Sequence, residues 1–224
     1  MACSAMSEFD PTPPGYIVVE GPVGVGKTSL VKRLAQSFSA HSLLEEAEQN
    51  PFLERFYRDG RQAAFPTQLF FLFQRSRQLA ELRQKDLFQR TLVADYMLEK
   101  DRLFAKINLD EHELDLYEQV YQRLSMEAPV PDLVVYLQAP VDVLLGRIQK
   151  RGRYQERTIE ADYLQRLSSA YTDFFYHYEK SPLLIVNASE INPIDRESDY
   201  QLLLERICEV ENGKHYFNPT PLLM

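Results

Sequence analysis

Cysteine is scarce in this chain: Cys3 and Cys208 are the only two among 224 residues. Two such distant thiols make neither a disulfide framework nor a metal-ligand cluster. Histidine is equally sparse, and His41, His112, His177 and His215 are scattered without metal-ligand spacing. Cations are outnumbered, 25 lysines and arginines against 33 aspartates and glutamates, for a formal net charge of -8. That balance argues against broad binding to nucleic acid or to an anionic membrane surface. No apolar run approaches the ~20 residues that span a bilayer. The opening "MACSAMSEFDPTPPG" lacks the basic start and apolar stretch of a signal peptide, so a cytoplasmic location is expected. No Asn-Lys-x-Asp guanine motif is present, which argues against a GTP switch, and no Ser-His-Asp or Cys-His arrangement points to hydrolase chemistry. The rest of the composition, 45% hydrophobic and 26% charged, is that of one globular domain with a sizeable core.

What is present is concentrated in "EGPVGVGKTSLVKRL", residues 20–34, directly after the β-branched run "YIVV". The spacing Gly21-x4-Gly26-Lys27-Thr28 is a P-loop pattern. Glycines permit positive φ and let backbone N–H groups converge on phosphate oxygens. The helix that follows, from Thr28 to about Phe38, turns its positive N-terminal end to the same place. Lys27 can reach terminal phosphates and Thr28 can offer a hydroxyl to Mg2+. The loop Gly21, Pro22, Val23, Gly24, Val25, Gly26, Lys27, Thr28 and Ser29 is therefore read as an ATP-type nucleotide site.

Strands are expected at 16–20, 42–46, 91–95, 132–138 and 183–187, with helices at 27–39, 66–86, 112–126, 141–150, 159–178 and 198–210. Such alternation predicts an α/β fold, a five-stranded parallel sheet flanked by helices. Ligands then lie at the carboxyl ends of the strands, so polar residues just past a strand are the ones that matter. "TLVAD" closes an apolar strand with Asp95, the place for an acid that holds Mg2+ or its water shell. "HSLLEE" ends in Glu45 and Glu46, either of which could accept a hydroxyl proton or be a solvated carboxylate. "GRIQKRGRYQER" carries Arg147, Lys150, Arg151, Arg153 and Arg157; Arg147 and Arg151 share a helical face and Gly152 ends the helix. Beside a P-loop, this basic run is read as a lid over a transferring phosphoryl group. In "FPTQLFFLFQRSRQL", Gln68 and Arg75 stand nearly on one helical face, and a buried glutamine amide matches a nucleobase edge.

Taken in order, these motifs resemble the deoxynucleoside kinases, especially the bacterial deoxyadenosine and deoxyguanosine kinases, over roughly residues 16–210. The resemblance runs through "GPVGVGKT", "EEAEQNPFLERFY", "QLFFLFQR", "DYMLEKDRLFA", "RIQKRGRYQE" and "VNASEINPID". It implies a P-loop nucleoside-kinase fold with an arginine-rich lid, 5'-phosphorylation of a purine deoxyribonucleoside in nucleotide salvage, and use of ATP and Mg2+. By resemblance Glu45 is the general base, Tyr57 and Glu156 meet the sugar 3'-hydroxyl, and Gln68, Arg75 and Asp101 read the base. Asp95 and Thr28 attend the magnesium, Arg147, Arg151 and Arg153 face the phosphates, and 186–195 lies against the ATP adenine. A homodimer is also implied by the resemblance alone. Residues 1–15 are expected as a flexible leader, 16–210 as the kinase domain and 211–224 as a C-terminal tail.

Two departures stand out. Many relatives carry an acid-Arg-Ser triplet after the third strand, where this chain has Asp95-Tyr96-Met97. Lys100 and Arg102 are the candidate replacements for the missing arginine. Many relatives also follow the glutamate with Pro-Val, where this chain has Glu46-Ala47. Two rival readings remain. A thymidylate-type monophosphate kinase needs extra acceptor-side cations, for which Arg55, Arg58, Arg61 and Arg75 are the candidates. A non-catalytic nucleotide-binding regulator would need no hydroxyl-deprotonating glutamate.

Overall fold

The central β-branched and leucine-rich runs form a parallel sheet because they are apolar on both faces. The computed structural model describes residues 13–84, 91–125, 128–189 and 191–218. Strand β1 spans Tyr16–Glu20, β2 His41–Leu43, β3 Leu92–Ala94, β4 Leu133–Gln138, β5 Leu183–Asn187 and β6 Lys214–Phe217. They lie in the order β2-β3-β1-β4-β5-β6, and every neighbouring pair is parallel. Ile17, Val18, Val19, Val134, Val135 and Leu184 are fully inaccessible at the centre of the sheet.

The helices are α1 (Lys27–Ser37), α2 (Leu53–Asp59), α3 (Ala64–Gln84), α4 (Glu99–Asn108), α5 (Glu111–Ser125), α6 (Val141–Arg151), α7 (Ala161–Tyr176) and α8 (Glu197–Glu209). Their ends follow local chemistry. Asp110 and Glu113 cap α5 reciprocally, each carboxylate accepting the other's backbone N–H at 3.0 and 3.2 Å. Gly152 ends α6 in the left-handed conformation, its N–H donating to Ile148 O at 3.1 Å.

The sheet has six strands where five are expected from the sequence. The sixth comes from the stretch 211–224, expected as a tail. "KHYF" sets two basic residues before two aromatic ones, and β6 pairs only along β5, so it lacks the apolar run of a central strand. Helices α2 and α4 are likewise unforeseen, being short segments rich in charged residues. Of the expected leader, residues 1–12 lie outside the described residues, as does the end of the expected helix 66–86.

With β1 between β3 and β4, the order reverses at the loop after β1. The residues following β1, β2 and β3 therefore converge on one crevice.

Candidate active site

The P-loop turns sharply off β1 at Gly21 (φ 146°) and Gly24 (φ 88°), where side chains are excluded as well as strained. A Cβ on Gly21 would lie 2.5 Å from Leu137 O, and one on Gly24 would lie 2.8 Å from Ile148 Cγ1. The loop thus packs tightly on β4 and α6. Lys27 Nζ donates to Gly21 O at 2.7 Å and to Pro22 O at 3.1 Å. Burial lowers the Lys27 ammonium to about 8, with the like charge of Lys100 adding to the effect and Glu20, Glu45 and Asp95 opposing it.

Asp95, one residue past β3, joins two elements. Its Oδ2 accepts from Thr28 Oγ1 at 2.7 Å, and its Oδ1 accepts from the Glu45 backbone N–H, also at 2.7 Å. The phosphate loop and the segment after β2 are therefore held by one carboxylate.

Glu45 points inward. Arg75 Nη2 pairs with Oε1, and Lys100 Nζ donates to Oε2 at 3.0 Å. Burial alone would raise this carboxyl, but Lys100 and Arg75 outweigh it and hold Glu45 well below the usual carboxylate range. Glu46 is exposed, and its backbone carbonyl accepts from Gln74 Nε2 at 3.3 Å. The ionic partners thus belong to Glu45.

Arg75 also pairs through Nη1 with Asp101, which is fully inaccessible. Its guanidinium lies 4.9 Å from the Phe71 ring centroid and 5.3 Å from that of Tyr96. Tyr96 donates its hydroxyl to Gln78 Oε1 at 2.6 Å. Arg102 faces the surface, where Nε meets Glu118 Oε1 at 2.6 Å.

These groups open onto a cavity of about 610 Å3, a size suited to a small-molecule ligand. Val23, Gly24, Gly26, Lys27, Thr28 and Ser29 line it, with Glu45, Tyr57, Gln68, Arg75, Asp95, Arg151, Arg153 and Glu156. Gly21, Pro22 and Val25 support the loop from outside the lining. Asp101 sits behind Arg75, buried with no face on the cavity. Arg147 does not line the cavity: it donates to Val25 O at 3.2 Å and to Ala188 O at 2.7 Å, tying the P-loop to the segment after β5. It reaches those carbonyls because α6 packs beside the loop. Within the expected adenine segment, Arg33 anchors Pro193 O and Ile194 O at 2.7 and 3.0 Å, and Glu190 lies outside the described residues. In the lid, Arg151 and Arg153 both pair with Glu156, and Arg153 Nη2 also meets Glu48 Oε1 at 3.2 Å.

Two residues of the cluster carried no weight in the sequence reading. Glu20 is fully buried, and its Oε1 accepts from Met97 N–H at 2.9 Å while Oε2 accepts from Gly21 N–H and the Tyr171 hydroxyl at 3.1 and 3.0 Å. Burial pushes its carboxyl up against the pull of Lys100 and Lys27. The signal was available: "YIVVE" closes an apolar strand with a carboxylate just as "TLVAD" does. Gln78, one turn beyond Arg75, is the other, and it lines the cavity.

The deoxynucleoside kinase family model matches residues 17–211. The chain belongs to the deoxynucleoside kinase family. It is a kinase that acts on deoxynucleosides. A deoxyguanosine kinase of Bacillus subtilis is 32% identical over 200 residues, covering 87% of this chain and 97% of that protein. A deoxyadenosine kinase of Dictyostelium discoideum is 30% identical over 195 residues, covering 84% of this chain and 77% of that protein. Among solved structures, a deoxyadenosine kinase from M. mycoides with bound dATP superposes with a TM-score of 0.74 at 26% identity, covering 86% of this chain and 98% of that one. No helix among the described residues is long and apolar enough to cross a membrane.

Proposed function

We propose that this kinase moves the γ-phosphoryl group of ATP to the 5'-hydroxyl of a purine deoxynucleoside, with Glu45 receiving the hydroxyl proton. The observation that carries the reading is Asp95, which bonds Thr28 of the phosphate loop and the backbone of Glu45 at once. Donor cradle and proton acceptor thereby share one fixed geometry. In the reaction the 5'-oxygen forms a bond to the γ-phosphorus as the bond to the bridging oxygen breaks. ADP leaves with the electron pair, and the proton passes to Glu45. The transition state of such transfers is loose, so a strongly ionised carboxylate suffices: its work is to orient the hydroxyl and take its proton late. Arg151 and Arg153 cover the transferring charge, and Tyr57 and Glu156 flank the sugar.

The residues fit magnesium. Thr28 Oγ1 and Asp95 Oδ2 stand side by side at the cavity, and no group of three acidic, histidine or cysteine ligands occurs among the described residues. One hydroxyl and one carboxylate suit an ion that keeps its waters and takes phosphate oxygens. When bound, magnesium neutralises charge on the phosphates.

Gln68 supports base recognition: it is 3% exposed, lines the cavity, and its amide has no hydrogen-bond partner among the described residues. Arg75 and Asp101 hold each other and back the base from behind. The relatives named for deoxyguanosine and deoxyadenosine support a purine. A monophosphate acceptor is disfavoured, since Arg55, Arg58 and Arg61 lie outside the cavity lining. The partner copy of a homodimer is supported by the exposed Phe73 on α3 (53%) and Leu116 on α5 (50%), and sedimentation tests it.

The test offers MgATP with each deoxynucleoside, each ribonucleoside and dTMP, reading ADP release and the site of phosphorylation by 31P NMR. Turnover with deoxyguanosine or deoxyadenosine, giving the 5'-monophosphate, is expected. Turnover with dTMP alone, or none at all, overturns the reading.

A further inference from the structure

We propose that Lys100 is the positioning residue of this site, holding the Glu45 carboxylate aimed at the acceptor hydroxyl; this rests on Glu45 as proton acceptor. Asp101, Arg75, Glu45 and Lys100 form a chain of alternating charge, each touching the next. Arg75 divides its guanidinium between two carboxylates, so its charge is already shared. Lys100 has one carboxylate, and it is Glu45, at 3.0 Å. The lysine side chain is only 5% exposed, yet it lines the same cavity as Lys27 and Thr28. Without it, the network would hold one surplus negative charge facing the phosphates.

Neighbouring cations cannot take its place. Position 96, adjacent to Asp95, holds a tyrosine committed to Gln78, and Arg102 is engaged at the surface by Glu118. The backbone is built to deliver Lys100 instead. Glu20 Oε1 fixes Met97 N–H at 2.9 Å, and Met97 O in turn accepts the Lys100 N–H at 3.2 Å. The buried carboxylate before the P-loop therefore sets the turn from which Lys100 reaches inward, coupling the phosphate loop to the acceptor site.

The groups facing Glu45 are Arg75 from α3, Lys100 from α4, Lys27 from the P-loop, Asp95 after β3, and Tyr57, Tyr96 and Tyr171; Glu20 faces Lys100 and Lys27. Without Lys100, Oε2 of Glu45 loses its ionic partner and only the Arg75 contact at Oε1 holds the carboxylate, so its aim at the acceptor hydroxyl loosens.

The experiment compares kcat and nucleoside KM for wild type, Lys100→Met, Lys100→Arg, Glu45→Gln and the double Lys100→Met/Glu45→Gln. Lys100→Met is expected to lower kcat by about 10²-fold, with the nucleoside KM little changed. Lys100→Arg, which can make the same ion pair, restores most of kcat. In the Glu45→Gln background, Lys100→Met costs little more. Should Lys100→Met not fold, judged by circular dichroism, Lys100→Gln keeps a donor without the charge and carries the same expectation. An unchanged kcat in the uncharged variant, a nucleoside KM that rises as much as kcat falls, or a full additional loss in the double variant, overturns the proposal. An unaffected Glu45→Gln instead overturns the reading of Glu45, a distinct failure.

Discussion

Glu45 shows how a single carboxylate is set up for its task by opposing effects. Burial favours its neutral form, and Lys100 and Arg75 override burial, so it stays ionised throughout the physiological range. Glu45→Gln keeps the size and loses the proton acceptor, so kcat should fall by roughly 10²–10⁴ while nucleoside binding measured by calorimetry persists. Lys27 presents the opposite case. Its ammonium lies at about 8, charged below that pH and neutral above it. Because kcat/KM reports the free enzyme, kcat/KM for ATP should decline as pH rises through about 8, and a profile flat across that range would remove Lys27 from the phosphate contact. Gln68→Ala should make kcat/KM values converge across deoxynucleosides. A retained preference would assign base reading to another side chain, with Gln78 the nearest at hand.

At the scale of elements, the P-loop, the turn before α4 and the lid are three segments pinned to one another by side chains. Gly21 and Gly24 carry the tightest packing, against Leu137 O and against Leu144 O and Ile148. Gly24→Ala adds a methyl group at φ 88°, 2.9 Å from a backbone oxygen that cannot step aside. It should destabilise the fold by about 1–3 kcal/mol, read as a lower Tm, and weaken ATP binding more than nucleoside binding. The lid is tethered differently: Thr158 Oγ1 donates to Tyr57 O at 3.0 Å, joining the lid's far end to the helix that carries Tyr57.

Across the whole molecule, parallel pairing in the order β2-β3-β1-β4-β5-β6 brings the ends of β1, β2 and β3 to one crevice. Strand β6 stands at the opposite edge, remote from that crevice, and its Phe217 packs against the core. A chain ending at Val210 should therefore lose about 1–3 kcal/mol of stability and keep its kcat/KM. Thermal unfolding and steady-state rates check both halves, and a collapse of kcat/KM at unchanged Tm would place β6 in the function instead.

Local chemistry is what the linear chain states outright. The P-loop is written in nine consecutive residues because glycine φ, helix dipole and lysine reach are all properties of neighbours along the backbone. The four central strands declared themselves by apolar runs, and the lid by arginines one turn apart ahead of a helix-ending glycine. The carboxylate after β3 was legible by the same logic, and Glu20 would have been. Charge pairing was not legible. Glu45 and Lys100 are 55 residues apart, and nothing in either segment says that sheet order will set them 3.0 Å from each other. The same holds for Arg147, whose spacing with Arg151 suggested the phosphates and whose actual partners are backbone carbonyls of two distant loops. Tertiary structure decided those pairings because a buried charge is satisfied by whichever partner the fold brings within reach, and that distance is fixed by strand order and helix packing.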